Sequence, residues 1–225
     1  MIVRYLGHSS FWISSGKATS VVIDPYGTHI PYNFPPLESD VVVISHEHRD
    51  HNADYRVNGN PMLVKRTHDF QCEQEVMVQR TKETLTFHGL PTFHDNFNGR
   101  RRGPNTVWHW YWEGIHFAHL GDLGHLLTDQ QLKILGKVDV LFCPVGGKIT
   151  LNPTEASLVI SQLEPRLVFP MHYLTPQIEK LELAEFTLKD FAAKMSSVED
   201  AATMAMEIEL ARLPTQTKVM MLRHE

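Results

Sequence analysis

Cysteine is scarce in this chain, and an excess of positive charge is absent. The two cysteines, Cys72 and Cys143, cannot build a disulfide scaffold. Cys143 falls in the apolar run 138–145 and reads as a small buried hydrophobe rather than a nucleophile. No apolar run is long enough to cross a membrane, and the N-terminus carries no signal-peptide pattern, so a cytoplasmic protein without membrane insertion is expected. A formal net charge of −5 argues against a broad nucleic-acid-binding face, which needs a basic surface. Ser/Gly-rich linkers, internal repeats and low-complexity segments are missing as well. What remains is 225 residues, 42% apolar and 21% charged, enough for one α/β domain over residues 1–225 with a sizeable core.

One residue type is over-represented. Fourteen histidines, the commonest metal ligand, point to metal chemistry before any motif is read.

The first half of the chain predicts strands separated by turns. Residues 2–6, 11–14, 20–24 and 40–45 are short, β-branched or aromatic, and bounded by turn formers; further candidates are 62–65, 75–79, 83–87, 106–112 and 115–120. In the second half the period changes. Thr128 with Gln131 forms a capping box, and Gly136 ends that helix. Asn152, Pro153 and Glu155 open a second helix whose apolar face is Ala156, Val159, Ile160 and Leu163. Ala184, Leu188, Phe191 and Met195 mark a third, with apolar strands at 138–143 and 166–170 between. Residues 204–210 alternate like a strand, with a helix as the alternative, and 219–222 closes the chain as a strand. This pattern predicts two mixed sheets packed face to face, helices outside, and a ligand cleft beyond the strand ends.

The strand Val41–Ile44 is wholly apolar and runs through Ser45 into His46-Glu47-His48-Arg49-Asp50-His51. Four potential ligands leave a rigid buried strand within six residues, which is how a protein holds a metal in place. A zinc-protease helix would put its histidines at i, i+4; here they stand at i, i+2, and Glu47 between them is expected to point away.

This run resembles the His-x-His-x-Asp-His signature of the metallo-β-lactamase superfamily. The resemblance continues through Asp24 after Val21–Ile23, His94 in Thr92-Phe93-His94-Asp95, Asp122 in His119-Leu120-Gly121-Asp122, and His172 in Phe169-Pro170-Met171-His172-Tyr173. Gly7-His8-Ser9-Ser10, Arg102-Gly103-Pro104-Asn105, Gly121-Asp122-Leu123-Gly124-His125 and Pro144-Val145-Gly146-Gly147 look like one branch of metal-dependent hydrolases. That branch is similar to ascorbate-6-phosphate lactonase and the phospholipase D acting on N-acyl phosphatidylethanolamine. The resemblance implies the four-layer αβ/βα sandwich of that fold and a dinuclear site. His46, His48 and His94 would hold one ion, Asp50, His51 and His172 the other, and Asp122 would bridge them. Zn²⁺ or Mn²⁺ suits such ligands best, with Fe²⁺ a third candidate. A metal-bound hydroxide would then cleave an ester, lactone or phosphodiester of a small molecule, an anionic one included. The alternatives are a phosphodiesterase or nuclease on the same fold, an iron-dependent redox member, and a metal-binding protein without catalysis.

Substrate choice falls to the remaining polar residues. Asp50 is the candidate for orienting the nucleophile and shuttling its proton. His125, three residues after Asp122, is a candidate catalytic or substrate-binding donor, against the reading of a plain loop residue. Arg102 and Asn105 belong to a mobile-looking loop at 96–105 and could clamp an anion. His8 and Asp24 are expected to support the metal ligands from behind. His119 reads as a satisfied core histidine and His116 as exposed, while His29, His68, His88, His109 and His224 lack supporting neighbours. Apolar residues after Met195 could serve a homo-oligomer contact.

Overall fold

A computed structural model describes residues 1–66 and 72–224; His68 lies outside the described residues. The chain runs through β1 (Ile2–Gly7), β2 (Ser10–Ser14), β3 (Ser20–Ile23), β4 (Leu37–Glu38), β5 (Val41–Ile44), β6 (Val57–Asn58), β7 (Met62–Lys65), β8 (Cys72–Val78), β9 (Glu83–Phe93), β10 (Pro104–Trp112) and β11 (Ile115–His119). It continues through α1 (Asp129–Leu135), β12 (Val140–Pro144), α2 (Pro153–Leu163), β13 (Leu167–Met171), α3 (Leu188–Ala192), β14 (Val198–Asp200), β15 (Ala205–Glu207) and β16 (Lys218–Met221).

These strands form two large mixed sheets. One has the order β15-β1-β2-β3-β5-β7, the other β14-β16-β13-β12-β11-β10-β9-β8. Alternation along the strands decides what faces inward. Val3, Tyr5, Phe11, Ile13, Ile23 and Val43 of the first sheet share a core with Phe87, Trp108, Trp110, Phe117, Phe142 and Phe169 of the second. The Trp108 indole donates across the interface to the Ile44 carbonyl at 2.8 Å, tying the two sheets together beside the histidine loop.

On the outside, α2 buries Ala156, Val159, Ile160 and Leu163, the stripe its periodicity predicts. Its start carries the full capping box, with Asn152 accepting from Thr154 and Glu155 N–H. The outer face of the first sheet is covered differently. Tyr26, Ile30, Tyr32 and Phe34 of an extended segment, with Ile178 and Ala184, pack on Leu6, Val22, Val42 and Ile44.

Several sequence expectations shift. β9 continues from Phe87 to Phe93 through Gly89 and Pro91, so it delivers His94 directly. At Gly89 a side chain would meet Cys72 Sγ at 2.6 Å, so the close strand approach there requires glycine. The third helix shrinks to Leu188–Ala192, because its Thr187 cap lies inside the segment where a longer helix was expected. Ala205–Glu207 is a short strand on β1, and a 3₁₀ turn replaces the rest of that prediction. Ile208, Leu213, Val219, Met220 and Leu222 pack inside the core, so the apolar surface expected for a homo-oligomer contact is largely used within the chain. His116 is buried, not exposed: its Nδ1 bonds the Lys137 carbonyl at 2.7 Å in the loop that covers it. Cys143 is buried, and burial pushes its thiol up, away from reactivity. Among the described residues no helix is long and apolar enough to cross a membrane.

The topology gathers chain ends at one edge. β5 runs parallel to β3, and β11, β12 and β13 run parallel to one another. Their C-terminal ends therefore emerge together, where the β1–β2 turn and the end of β9 also arrive.

Candidate metal centre

Three segments of this edge take left-handed backbone at non-glycine residues: His8 (φ 54°), Asp24 (φ 45°) and His172 (φ 52°). Such conformations cost of order 1 kcal/mol or more each and persist only where neighbours enforce them. Here the neighbours are one another, since the His172 N–H donates to the His8 carbonyl at 2.8 Å. Gly121 (φ 55°) turns the chain after β11; a Cβ there would lie 2.3 Å from Asn105 Oδ1 and 2.7 Å from Ser45. Without that glycine Asp122 could not reach the centre.

Two clusters of ligand atoms result. His46, His48 and His94 form one, and His8, Asp50, His51 and His172 the other, each with its atoms within 4.8 Å of one another. Asp122, fully buried, lies between them. Its Oδ2 is 3.0 Å from His94 Nε2, 3.1 Å from His51 Nε2, 3.3 Å from His172 Nε2 and 3.9 Å from His46 Nε2. Glu47 points outward to Lys65 at 3.1 Å, as the spacing predicts.

The surrounding bonds orient the donors. Asp24 accepts from the Ser45 N–H at 2.7 Å and the Ser45 hydroxyl at 2.6 Å, and lies 3.0 Å from His51 Nδ1. With those contacts its carboxylate braces the histidine loop, although a third close group contains Asp24, His46 and His51. His94 Nδ1 donates to the Ile149 carbonyl at 2.8 Å, which turns Nε2 toward Asp122. His119 bonds the Ser9 carbonyl through Nε2 at 2.9 Å and accepts the Gly121 N–H on Nδ1 at 3.1 Å, so this core histidine shapes the turn before Asp122.

Burial and charge act together on these groups. Burial pulls His51 down, but the Asp122 and Asp50 carboxylates outweigh it and hold the imidazole well above its usual range. His94 is raised by Asp122 against the same penalty. Burial would raise Asp122, yet His172, His51 and His94 hold it well below the carboxylate range. Burial and the neighbouring imidazoles keep His46 neutral.

The fit to metal ions rests on buried atoms without hydrogen-bond partners. Nε2 of His51, His94 and His172 and both oxygens of Asp122 are such atoms. They are buried side by side, Asp122 Oδ2 lying 3.0 to 3.3 Å from the three nitrogens without a hydrogen bond, and such a packed set of nitrogen and oxygen donors makes a site for a cation. The donor set, imidazoles with carboxylates, suits Zn²⁺, Mn²⁺ or Fe²⁺.

Three expected substrate residues are placed differently from one another. Asn105 is fully buried; its Nδ2 donates to Thr92 and the Leu120 carbonyl, and its Oδ1 takes the Asp122 N–H at 3.0 Å. It therefore positions Asp122 and cannot reach a substrate. His125 has both ring nitrogens in use, Nε2 accepting from the Phe93 N–H at 3.2 Å and Nδ1 facing the Leu126 carbonyl at 2.8 Å. It clamps the loop after Asp122 to the end of β9 and has no nitrogen left to donate to a substrate. Arg102 does line a cleft beside His94.

The loop after His94 is not loose, as its composition suggests. Asp95 accepts the backbone N–H groups of Phe97, Gly99, Arg101 and Arg102 at 2.7 to 2.9 Å. Desolvation opposes the charge, but these bonds win and hold the carboxyl below its usual range. The Asp95-x-Phe97-x-Gly99 spacing, with short side chain and glycine, was the available signal for this turn.

A profile described as a β-lactamase superfamily domain matches residues 2–172, most of the chain. The chain belongs to the metallo-β-lactamase superfamily. A Thermotoga maritima protein described as a zinc-dependent hydrolase of that superfamily has a solved structure that aligns with a TM-score of 0.78 at 30% identity, covering 100% of this chain and 99% of that one. A metal-dependent hydrolase from Desulforamulus reducens is 27% identical, covering 92% of this chain and 96% of the relative. One from Thermococcus onnurineus is 28% identical, covering 77% and 84%. The two-sheet architecture is thus the αβ/βα sandwich of the superfamily, and the chain's class is that of its metal-dependent hydrolases.

Proposed function

We propose that this chain, as one domain over residues 1–225, is a dinuclear hydrolase acting on an ester, lactone or phosphodiester bond of a small molecule. The carrying observation is the buried set of donor atoms on His51, His94 and His172 packed around Asp122 Oδ2 at 3.0 to 3.3 Å without a hydrogen bond. His46, His48 and His94 would hold one ion, Asp50, His51 and His172 the second, and Asp122 would bridge them. Two divalent ions, zinc or manganese first and Fe²⁺ third, would supply a hydroxide nucleophile near neutral pH and stabilise the developing oxyanion. The relatives' description as hydrolases, one of them zinc-dependent, supports that order.

The chain's own residues divide the remaining work. Asp50 is buried at the edge of the site, with Oδ2 3.1 Å from His8 Nε2 and 3.6 Å from His51 Nε2. Burial would raise its pKa, but His51 and His8 hold it low, so it stays a carboxylate, which suits a ligand and a hydrogen-bond acceptor that orients the attacking water. His48 is the exposed member of the site and marks the side from which substrate arrives. Net charge −5 and a cleft of small-molecule size favour such a substrate over a nucleic acid. With two free cysteines, the cytoplasm is the compartment we assign.

Purified protein loaded with zinc or manganese, assayed on a panel of lactones, aryl esters and phosphodiesters, tests the reaction. Turnover lost in Asp50→Asn with metal retained supports the reading; full turnover in that variant refutes the role of Asp50. An iron-loaded protein that consumes oxygen and hydrolyses nothing would establish the redox alternative.

A further inference from the structure

The loop 95–103 and the turn 147–150 both line a cleft of about 470 Å³ that includes His94. Both segments are tied to that ligand. The His94 N–H bonds the Gly103 carbonyl at 3.1 Å, and its Nδ1 bonds the Ile149 carbonyl at 2.8 Å. Arg102 immediately precedes Gly103, and Lys148 immediately precedes Ile149. One cation on each segment is therefore a single residue from an anchor on the same metal-ligating histidine.

The backbone beneath both cations is fixed. Asp95 holds the Arg102 N–H at 2.7 Å, and Lys148 takes a left-handed φ of 59° beside Gly147. The carboxylates of the lining equal the cations in number, but Asp95 and Glu155 are turned to backbone N–H groups and form no ion pair with Arg102 or Lys148. Asp95 is occupied by four backbone N–H groups, and Glu155 Oε2 accepts from the Asn152 N–H at 3.0 Å. Among the described residues Arg102 has no side-chain hydrogen bond or ion pair, while Arg101 lies 3.6 Å over the Phe97 ring. Lys148 reaches Glu182 at 3.4 Å, an exposed pair that competes weakly with a ligand. Of the three cations Arg101, Arg102 and Lys148, Arg102 is the one whose side chain is left without a partner among the described residues.

We propose that the substrate carries, besides its scissile bond, a carboxylate or phosphate group held between Arg102 and Lys148; this deepens, and rests on, the hydrolase reading above. A guanidinium suits either oxyanion through paired N–H bonds, and Lys148, on the other segment that lines the cleft, adds a point charge. Phe97 and Phe186 flank the cations and give the intervening part of the molecule an apolar wall.

Three aryl acetates test it on the metal-loaded enzyme: methyl meta-acetoxybenzoate, which is neutral, meta-acetoxybenzoate, and meta-acetoxyphenyl phosphate. The anionic esters should exceed the neutral one in kcat/KM by about tenfold or more, the scale of a charge-assisted bond. Arg102→Ala should bring that ratio close to one, Lys148→Ala should lower it less, and Arg100→Ala should leave it in place. The better of the two anions identifies the group. Metal-free protein gives a second readout: isophthalate, and not isophthalamide, should raise the melting temperature of the wild type and fail to do so for Arg102→Ala. Equal kcat/KM for neutral and anionic esters, or a preference that survives Arg102→Ala, overturns the proposal while leaving hydrolysis standing. Protection by isophthalate that Arg102→Ala abolishes, with none of the esters cleaved, keeps the anion site and refutes ester hydrolysis.

Discussion

His8 Nε2 stands 3.1 Å from Asp50 Oδ2, both side chains buried, and joins Asp50, His51 and His172 in one cluster of ligand atoms. The contact gives a strained turn residue a function: a left-handed His8 is what brings an imidazole from the β1–β2 turn onto a carboxylate of the β5 loop. Its other nitrogen, Nδ1, is buried without a hydrogen-bond partner. Residues that orient a metal-ligating carboxylate commonly govern affinity by 10–100-fold.

His8→Ala should therefore weaken one of two bound ions by about that factor and leave the other in place. Chelator competition that resolves the two binding steps checks this, with the melting temperature of metal-free protein as the control for folding. Equal weakening of both steps would show that His8 supports the fold and not Asp50.

Asp95→Ala removes the acceptor of four backbone N–H groups in the loop 95–103. Amide exchange in residues 96–103 should accelerate, KM should rise, and metal content should stay unchanged. An unaltered exchange rate would mean that the loop is held by something else.

Metal uptake should release protons. In metal-free protein the Asp122 carboxylate raises His51 and His94 above the ordinary histidine range, so each binds its proton more tightly than a free imidazole, and a ligating nitrogen must give that proton up. Calorimetric zinc titrations at pH 7 in buffers of different ionisation enthalpy should show net proton release, smaller in Asp122→Asn. Uptake of zinc without proton release would contradict the electrostatic account of the site.

A second histidine pair sets an acid limit on stability. Burial first, then His116 and His88, lower His109 to about 4, and its Nδ1 is 3.1 Å from His116 Nε2. The unfolded chain binds this proton near pH 6.5 and the folded chain only near pH 4. Between those values the unfolded state holds more protons, so stability is full above pH 6.5 and falls as the pH drops toward 4. His109→Gln should flatten that decline in urea unfolding of metal-free protein between pH 6.5 and 4, and an unchanged slope would refute it.

The legible parts of the sequence were those with a local cause. Val41–Ile44 followed by the histidine run, the Asn152-Pro153-Glu155 cap and the 3.6-residue stripe of α2 each carry their physics within a few residues. What the sequence hid depends on contacts between distant segments. His125 was indistinguishable from a donor to substrate until Phe93, 32 residues away, was seen to occupy its ring nitrogen. Asn105 fitted an anion clamp equally well, yet Asp122, 17 residues on, claims its side chain. The 96–105 loop read as mobile because polar and glycine-rich composition does not reveal a carboxylate tying four amides. Lys148 lacked any motif, and its place on the cleft comes only from the bond between Ile149 and His94.

Mass-spectrometric metal analysis of zinc-loaded protein decides whether two ions share Asp122. Two equivalents per chain are expected, and at most one, weakly held, in Asp122→Ala. A single equivalent in the wild type, or two retained by Asp122→Ala, would contradict that sharing.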